Sequence, residues 1–178
     1  MKTLIISDIH GSYRRLEEVL NTPLIYDQII LVGDLMYHGP RNPILDDYNP
    51  SKVAELLNNV RVPIIAVRGN CDSEVDQMLL DFPIMSDSAR LVLDDVIIHV
   101  SHGHLHEPDA DAKNVGASLY ISGHTHVLRL EMNGTTLMVN PGSISLPKEN
   151  NPATYGYINA HSVSIMTLDH KEHLTITL

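Results

Sequence analysis

The chain has 178 residues, 43% of them hydrophobic and 19% charged, which is ordinary for a globular protein and long enough for one domain with a substantial core. Its formal net charge of -10 argues against sequence-independent binding to nucleic acid or anionic lipid, and no sequence-specific nucleic-acid partner is expected. A single cysteine excludes an intrachain disulfide framework, and no apolar run approaches a secretory h-region of ~7–15 residues at the N-terminus or a membrane span of ~18, so a cytoplasmic protein is expected.

Thr3-Leu4-Ile5-Ile6 is short, apolar and rich in β-branched residues, so it reads as a buried strand running into Ser7-Asp8-Ile9-His10-Gly11. Ser12 is placed to cap a helix with Tyr13, Leu16, Val19 and Leu20 on one face, ended by Asn21-Thr22-Pro23. Residues 28–32 form a second buried strand leading into Gly33-Asp34. The stretch from His38 to Asn49, rich in Gly, Pro and Asn, is a loop. Asn49-Pro50 opens a helix with Val53, Leu56, Leu57 and Val60 at helical spacing. Residues 63–67 are a third strand and deliver Arg68-Gly69-Asn70-Cys71-Asp72. A short amphipathic helix with apolar Val75, Met78 and Leu79 follows, closing at Phe82-Pro83. Strands that are apolar throughout, alternating with helices, predict a parallel sheet covered on both faces.

The second half changes character. Arg90-Leu91-Val92-Leu93 and Val96-Ile97-Ile98-His99-Val100 predict a hairpin turning at Asp94-Asp95, which leads into Ser101-His102-Gly103-His104. Residues 109–115 predict a short helix stopped by Gly116, and Leu119-Tyr120-Ile121-Ser122 precedes Gly123-His124-Thr125-His126. Residues 130–132 and 136–139 pair around the turn signal Asn133-Gly134, followed by Asn140-Pro141-Gly142-Ser143. Short alternating strands run from Thr154 to the end.

Polar blocks thus follow strand after strand: Asp8/His10, Gly33-Asp34, Gly69-Asn70, His102 and His124/His126. In open α/β sheets, sites form outside the carboxyl ends of the strands, so these scattered side chains can converge. Asp8 and His10 are two apart, and an extended chain would point both the same way. The donors are two carboxylates, one amide oxygen and four imidazoles, too many for one tetrahedral ion and suited to two ions sharing a carboxylate. A mixed nitrogen and oxygen set suits manganese, iron, zinc or cobalt better than magnesium or calcium.

Asp8-Ile9-His10, Gly33-Asp34, Gly69-Asn70-Cys71-Asp72, His102 and Gly123-His124-Thr125-His126 resemble the five-block signature of the calcineurin-like metallophosphoesterases. The loop His38-Gly39-Pro40-Arg41-Asn42-Pro43, the run from Gly69 to Met78 and Asn140-Pro141-Gly142-Ser143 narrow the resemblance to the small YfcE-type phosphodiesterases of that family. The resemblance implies an α/β fold, a single-domain α/β/β/α four-layer sandwich over residues 1–178. It also implies cleavage of small phosphodiesters with two divalent metal ions, manganese first and zinc, iron or cobalt as alternatives. Carried over by position, Asp8, His10 and His126 hold the first metal; Asn70, His102 and His124 hold the second; Asp34 bridges them. A metal-bridging hydroxide is the expected nucleophile, with Asn70 and the metals holding the phosphate.

Most members of the wider superfamily carry His after the block's Asn, where this chain has Cys71. Cys71 is either a proton donor to the leaving group or a small thiol filling space beside the metals. Arg41 either meets a substrate phosphate across the mouth of the site or is solvated. His38, His104 and His106 lie beside the blocks, His99 reads as structural, and His161, His170 and His173 carry no assigned chemistry. A phosphomonoesterase or nucleotidase is the alternative within chemistry, and a non-catalytic scaffold of the same fold is the alternative outside it. All seven ligand positions are filled, which speaks against the scaffold. A homo-oligomer is left open.

Overall fold

Eleven strands and four helices make up the described structure, in the order β1 (Thr3–Ile6), α1 (Tyr13–Leu20), β2 (Gln28–Leu31), α2 (Pro50–Asn58), β3 (Ile64–Ala66), α3 (Glu74–Gln77), β4 (Ser88–Leu93), β5 (Val96–Ser101), α4 (Pro108–Val115), β6 (Leu119–Ile121), β7 (Arg129–Asn133), β8 (Thr136–Asn140), β9 (Thr154–Ile158), β10 (Ser162–Thr167) and β11 (Glu172–Thr177). The computed structural model describes residues 2–93 and 96–178. The expected turn at Asp94-Asp95 lies outside the described residues, but the strands on either side pair antiparallel as a hairpin does.

Two sheets result. One has the order β11-β10-β9-β1-β2-β3 and the other β4-β5-β6-β8-β7. Within the first, β1, β2 and β3 run parallel, as the apolar strand–helix alternation requires; within the second, β5, β6 and β8 run parallel.

Side-chain alternation assigns each strand's two faces to different cores. Leu4, Ile6, Ile29 and Leu31 point outward onto Leu16 and Val19 of α1 and Val53 and Leu57 of α2. Ile5 and Ile30, the intervening residues, point inward and meet Ile98, Val100, Leu119, Ile121, Leu137 and Val139 of the second sheet. On that sheet's far side, Tyr120 and Met138 pack with Ala112 and Ala117 at α4. The layers are therefore helix, sheet, sheet and helix.

The helix ends differ in instructive ways. Asn49 caps α2 by accepting from the Lys52 amide at 3.1 Å, with Pro50 in the first turn. Gly116 ends α4 at a φ of 62°, a left-handed conformation that glycine adopts without steric cost. Ser12 stands at the N-cap of α1 but does not cap it with its side chain. Its hydroxyl donates to Asp47 Oδ2 at 2.6 Å, and the same carboxylate oxygen accepts from the Arg14 amide at 3.2 Å. The cap of α1 is thus supplied from the loop before α2.

The expected amphipathic helix after Asp72 is corrected. Helix α3 is a single turn closed by a capping box between Ser73 and Asp76, and Val75, Met78 and Leu79 are exposed. The Gln77 side chain bonds the backbone of Phe82 and Ile84, ending the helix and folding the chain back. Leu80 and Ile84 are the residues buried there.

Candidate metal centre

The parallel cores of both sheets deliver their following loops to one edge of the sandwich. Asp8 and His10 follow β1, Asp34 follows β2, and Asn70 and Cys71 follow β3; His102 follows β5, and His124 and His126 follow β6. Asp8 and His10 do not meet by extended alternation, as their spacing suggested. Both have positive φ, as do Asp34, His124 and His126, so tight left-handed turns aim these candidate ligand side chains. Such backbone costs non-glycine residues about 1–3 kcal/mol each and persists where the surroundings over-determine it. The loops are stitched together by the Asp8 amide to Gly33 O at 3.1 Å, the His10 amide to Asp34 O at 3.0 Å and the Gly123 amide to His102 O at 3.0 Å.

Three imidazoles are locked in one orientation. Nδ1 of His10 donates to Tyr37 O at 2.8 Å, that of His102 to Val32 O at 2.6 Å and that of His126 to Leu146 O at 2.6 Å. A carbonyl can only accept, so the proton sits on Nδ1 and Nε2 is the nitrogen turned inward, the arrangement usual for metal-ligating histidine. His10 Nε2 and His126 Nε2 approach to 3.2 Å, and Asp8 Oδ1 is 3.2 Å from His126 Nε2. Asp34 Oδ2 lies 3.6 Å from His10 Nε2 and 3.5 Å from His102 Nε2. It stands between two imidazoles that come from different sheets.

The carboxylates are aimed as firmly. Asp8 Oδ2 accepts from the Ser7 hydroxyl at 2.6 Å and the His124 amide at 3.1 Å, which leaves Oδ1 for the cluster. Asp34 Oδ1 accepts from the Cys71 amide at 2.8 Å, which leaves Oδ2. Burial alone would raise the Asp8 carboxyl, but the His10 and His126 rings beside it outweigh burial and hold the group far below the usual carboxylate range. Asp34 is lowered against the same burial by His102. Burial works against the His102 imidazolium too, yet Asp34 and Asp8 raise it to about 9 in the metal-free protein. His124, half-buried and crowded by His102, is lowered.

The residues fit divalent metal. Asp8 Oδ1 and His102 Nε2 are buried without an aligned hydrogen-bond partner, an expensive state for polar atoms unless something else occupies their lone pairs. Donor atoms of Asp8, His10 and His126 form one group close enough to hold an ion; Asp8, Asp34 and His102 form a second, and His10, Asp34 and Cys71 a third. His124 joins through its ring, 5.2 Å from that of His102. Above this floor opens a cavity of about 270 Å³, lined by His10, Asp34, Asn70, Cys71, His124 and His126, with Arg41 and Lys148 at the rim.

Residues 1–162 match the calcineurin-like phosphoesterase superfamily domain. The chain belongs to that superfamily. It is 42% identical over 174 residues to the phosphodiesterase YfcE of Escherichia coli K12, covering 95% of this chain and 93% of the relative. The solved structure of YfcE superposes with a TM-score of 0.88 at 38% identity, covering 99% and 98% of the two chains. The probable metallophosphoesterase YsnB of Bacillus subtilis is 32% identical over 165 residues, covering 89% of this chain and 83% of the relative. A vacuolar protein sorting 29 structure from Cryptosporidium parvum, with a TM-score of 0.71 at 17% identity over 99% of this chain and 97% of that one, shares the fold alone.

All seven expected ligand positions of the phosphoesterase signature meet at this edge, and Arg41 and Cys71 line the same cavity. The Cys71 thiol accepts from Asn70 Nδ2 at 3.2 Å, and burial together with Asp34 pushes it up to about 12. His104 and His106 face a separate cavity, and His38 packs edge-on to Tyr48. His99 is buried, stacked on Tyr120 outside the site.

Two contributors escape a reading of the sequence as ligands alone. Asp72 is buried and accepts from the Asp34, Leu35 and Gly69 amides at 2.8, 2.8 and 2.7 Å, fixing the backbone that carries Asp34. Its place in the Gly-Asn-Cys-Asp block was the available signal. Lys148 was not signalled at all. Gly69 is obligatory for a plainer reason, since a Cβ there would collide with Asp34.

Proposed function

We propose that the protein is a phosphoric diester hydrolase with a binuclear metal site. The position of Asp34 Oδ2 carries this reading, because one carboxylate oxygen flanked by His10 and His102 suits a ligand shared between two ions. Asp8, His10 and His126 would hold one ion, and Asn70, His102 and His124 the other. Manganese is the first choice among metals, with zinc, iron and cobalt also suited to imidazole and carboxylate donors. Bound there, two divalent ions supply a hydroxide at neutral pH and positive charge for phosphoryl oxygens.

The chain's own groups do the rest. The carbonyls of Tyr37, Val32 and Leu146 keep three imidazoles in one tautomer, and the Cys71 amide orients Asp34. Asn70, exposed at the cavity wall, would contact the phosphate, and Arg41 would meet a substrate phosphate across the mouth. The identity with YfcE and the thiol in place of a cationic imidazole both favour small diesters over monoesters. A protein with one unpaired cysteine suits the cytoplasm.

The test pairs bis(p-nitrophenyl) phosphate with p-nitrophenyl phosphate, under each divalent metal in turn. Higher kcat/KM for the diester is expected, and higher kcat/KM for the monoester would move the assignment to a phosphatase. Asp34→Asn should lose metal by elemental analysis and lose most turnover while keeping its far-UV spectrum. Two full metal equivalents in that variant would end the shared-ligand reading.

A further inference from the structure

The rim of the cavity holds two cations, Arg41 and Lys148. Neither makes an ion pair among the described residues, where Arg68, Arg129 and Lys171 do. Among the described residues that line the cavity, Asp34 is the only carboxylate. In a chain of net charge -10, two cations facing one 270 Å³ cavity are a local reversal of sign.

Neither cation is on a slack loop. Arg41 rides a turn in which Asn42 Nδ2 donates to His38 O at 2.8 Å and the Asn42 amide to Gly39 O at 3.3 Å. That turn leans on the metal floor, since a Cβ at Gly39 would come within 3.3 Å of Cys71 Sγ. Lys148 is tied to a ligand loop by its amide, which donates to His126 O at 3.1 Å. The Asn151 amide and side chain both return to Lys148 O, at 3.1 and 2.9 Å. Between them Glu149 and Asn150 take φ of 56° and 59°. The neighbouring Glu149 lines a different cavity, so its charge is directed away from the one Lys148 faces.

We propose that Arg41 and Lys148 together bind a second anionic group of the substrate, so that the preferred substrate is a phosphodiester carrying an additional phosphate-like group on one alcohol. This rests on the diesterase reading above and names its substrate class. A simple diester brings one negative charge, which the metal ions at the floor already address. Two further cations at the mouth answer to charge beyond the scissile phosphate. Arg41 offers a planar fork and Lys148 a mobile point charge, a combination that grips a tetrahedral oxyanion from two sides.

The test uses two diesters that differ in one group: p-nitrophenyl ethyl phosphate, and the same compound with a phosphonate at the far end of the ethyl group. Uncleavable analogues, with methylene in place of the scissile bridging oxygen, are titrated calorimetrically into the same metal-loaded proteins. The phosphonate-bearing member should have the higher kcat/KM and the tighter binding. Lys148→Gln and Arg41→Gln should each reduce that advantage about tenfold, mainly through KM and Kd. Equal affinity for the two analogues in wild type would overturn the proposal, as would an advantage that survives in the double variant. Failure to turn over either diester with metals bound would instead remove the diesterase reading, while the calorimetric comparison still decides the role of the two cations.

Discussion

At the scale of single residues, the site separates candidate metal ligands from groups that aim them. Asp72 is not among the candidate ligands, but its carboxylate accepts from three amides around Asp34, that of Asp34 included. Asp72→Asn leaves one amide facing an NH2 group, so it should cost about 1–3 kcal/mol of stability in urea and weaken metal binding about 10–100-fold. Cys71 is the opposite case. Its thiol is pushed up to about 12 by burial and Asp34 and keeps its proton at neutral pH. Cys71→Ser should therefore change turnover of p-nitrophenyl esters by well under the ~10²-fold at which a positioned general acid begins. A Ser effect that grows steeply with the basicity of the leaving group would restore Cys71 as a donor. The convergence of the candidate ligand positions was legible because carboxylates, imidazoles and glycines recur after buried strands. Lys148 was not, because a turn of two left-handed non-glycine residues, Glu149 and Asn150, places it and leaves no compositional mark.

At the scale of elements, apolar periodicity served wherever an element had a core to face. The first three strands and the helices α1 and α2 lie where short uninterrupted apolar runs and helical spacing put them. The stretch around α3 did not, because Val75 and, beyond the helix, Met78 and Leu79 match a helical face that is exposed. Met78→Glu should change the unfolding free energy in urea by no more than about 0.5 kcal/mol, the range of ordinary surface changes, whereas Ile84→Ala should cost about 2–5 kcal/mol. The cap of α1 was missed for another reason. Ser12 is in the right place, yet Asp47, distant in sequence, takes its hydroxyl and the Arg14 amide. Asp47→Ala should destabilise the protein by about 1 kcal/mol, with the earliest hydrogen-exchange losses in the first turn of α1.

At the scale of the whole molecule, candidate ligands from one sheet (Asp8, His10, Asp34 and Asn70) face candidate ligands from the other (His102, His124 and His126). Bound metal would fasten the two sheets across their shared edge. Chelation should lower the melting temperature, through about 3 kcal/mol of lost linkage for each ion that had been present at a hundred times its Kd. Acidity acts on the same fastening. In the metal-free protein His102 is raised to about 9, so its contribution to stability is full below the ordinary imidazole value of ~6.5. That contribution fades as pH rises through about 9. Metal needs the nitrogen bare, so binding at neutral pH should release protons. Calorimetry in buffers of different ionisation enthalpy measures this, and a buffer-independent heat would contradict it.

The left-handed backbone at Asp8, His10, Asp34, His124 and His126 bears on how this fold changes when its chemistry is no longer under selection. A lineage freed from catalysis gains nothing by keeping a histidine in a conformation that glycine occupies without strain. Drift at these sites should therefore run toward glycine and asparagine rather than alanine, with the sandwich unharmed or firmer for it. His124→Gly reproduces that drift in one step, and metal-free it should melt higher than wild type. Glycine at this position in a descendant would then mark a retired enzyme, even where every strand is still in place.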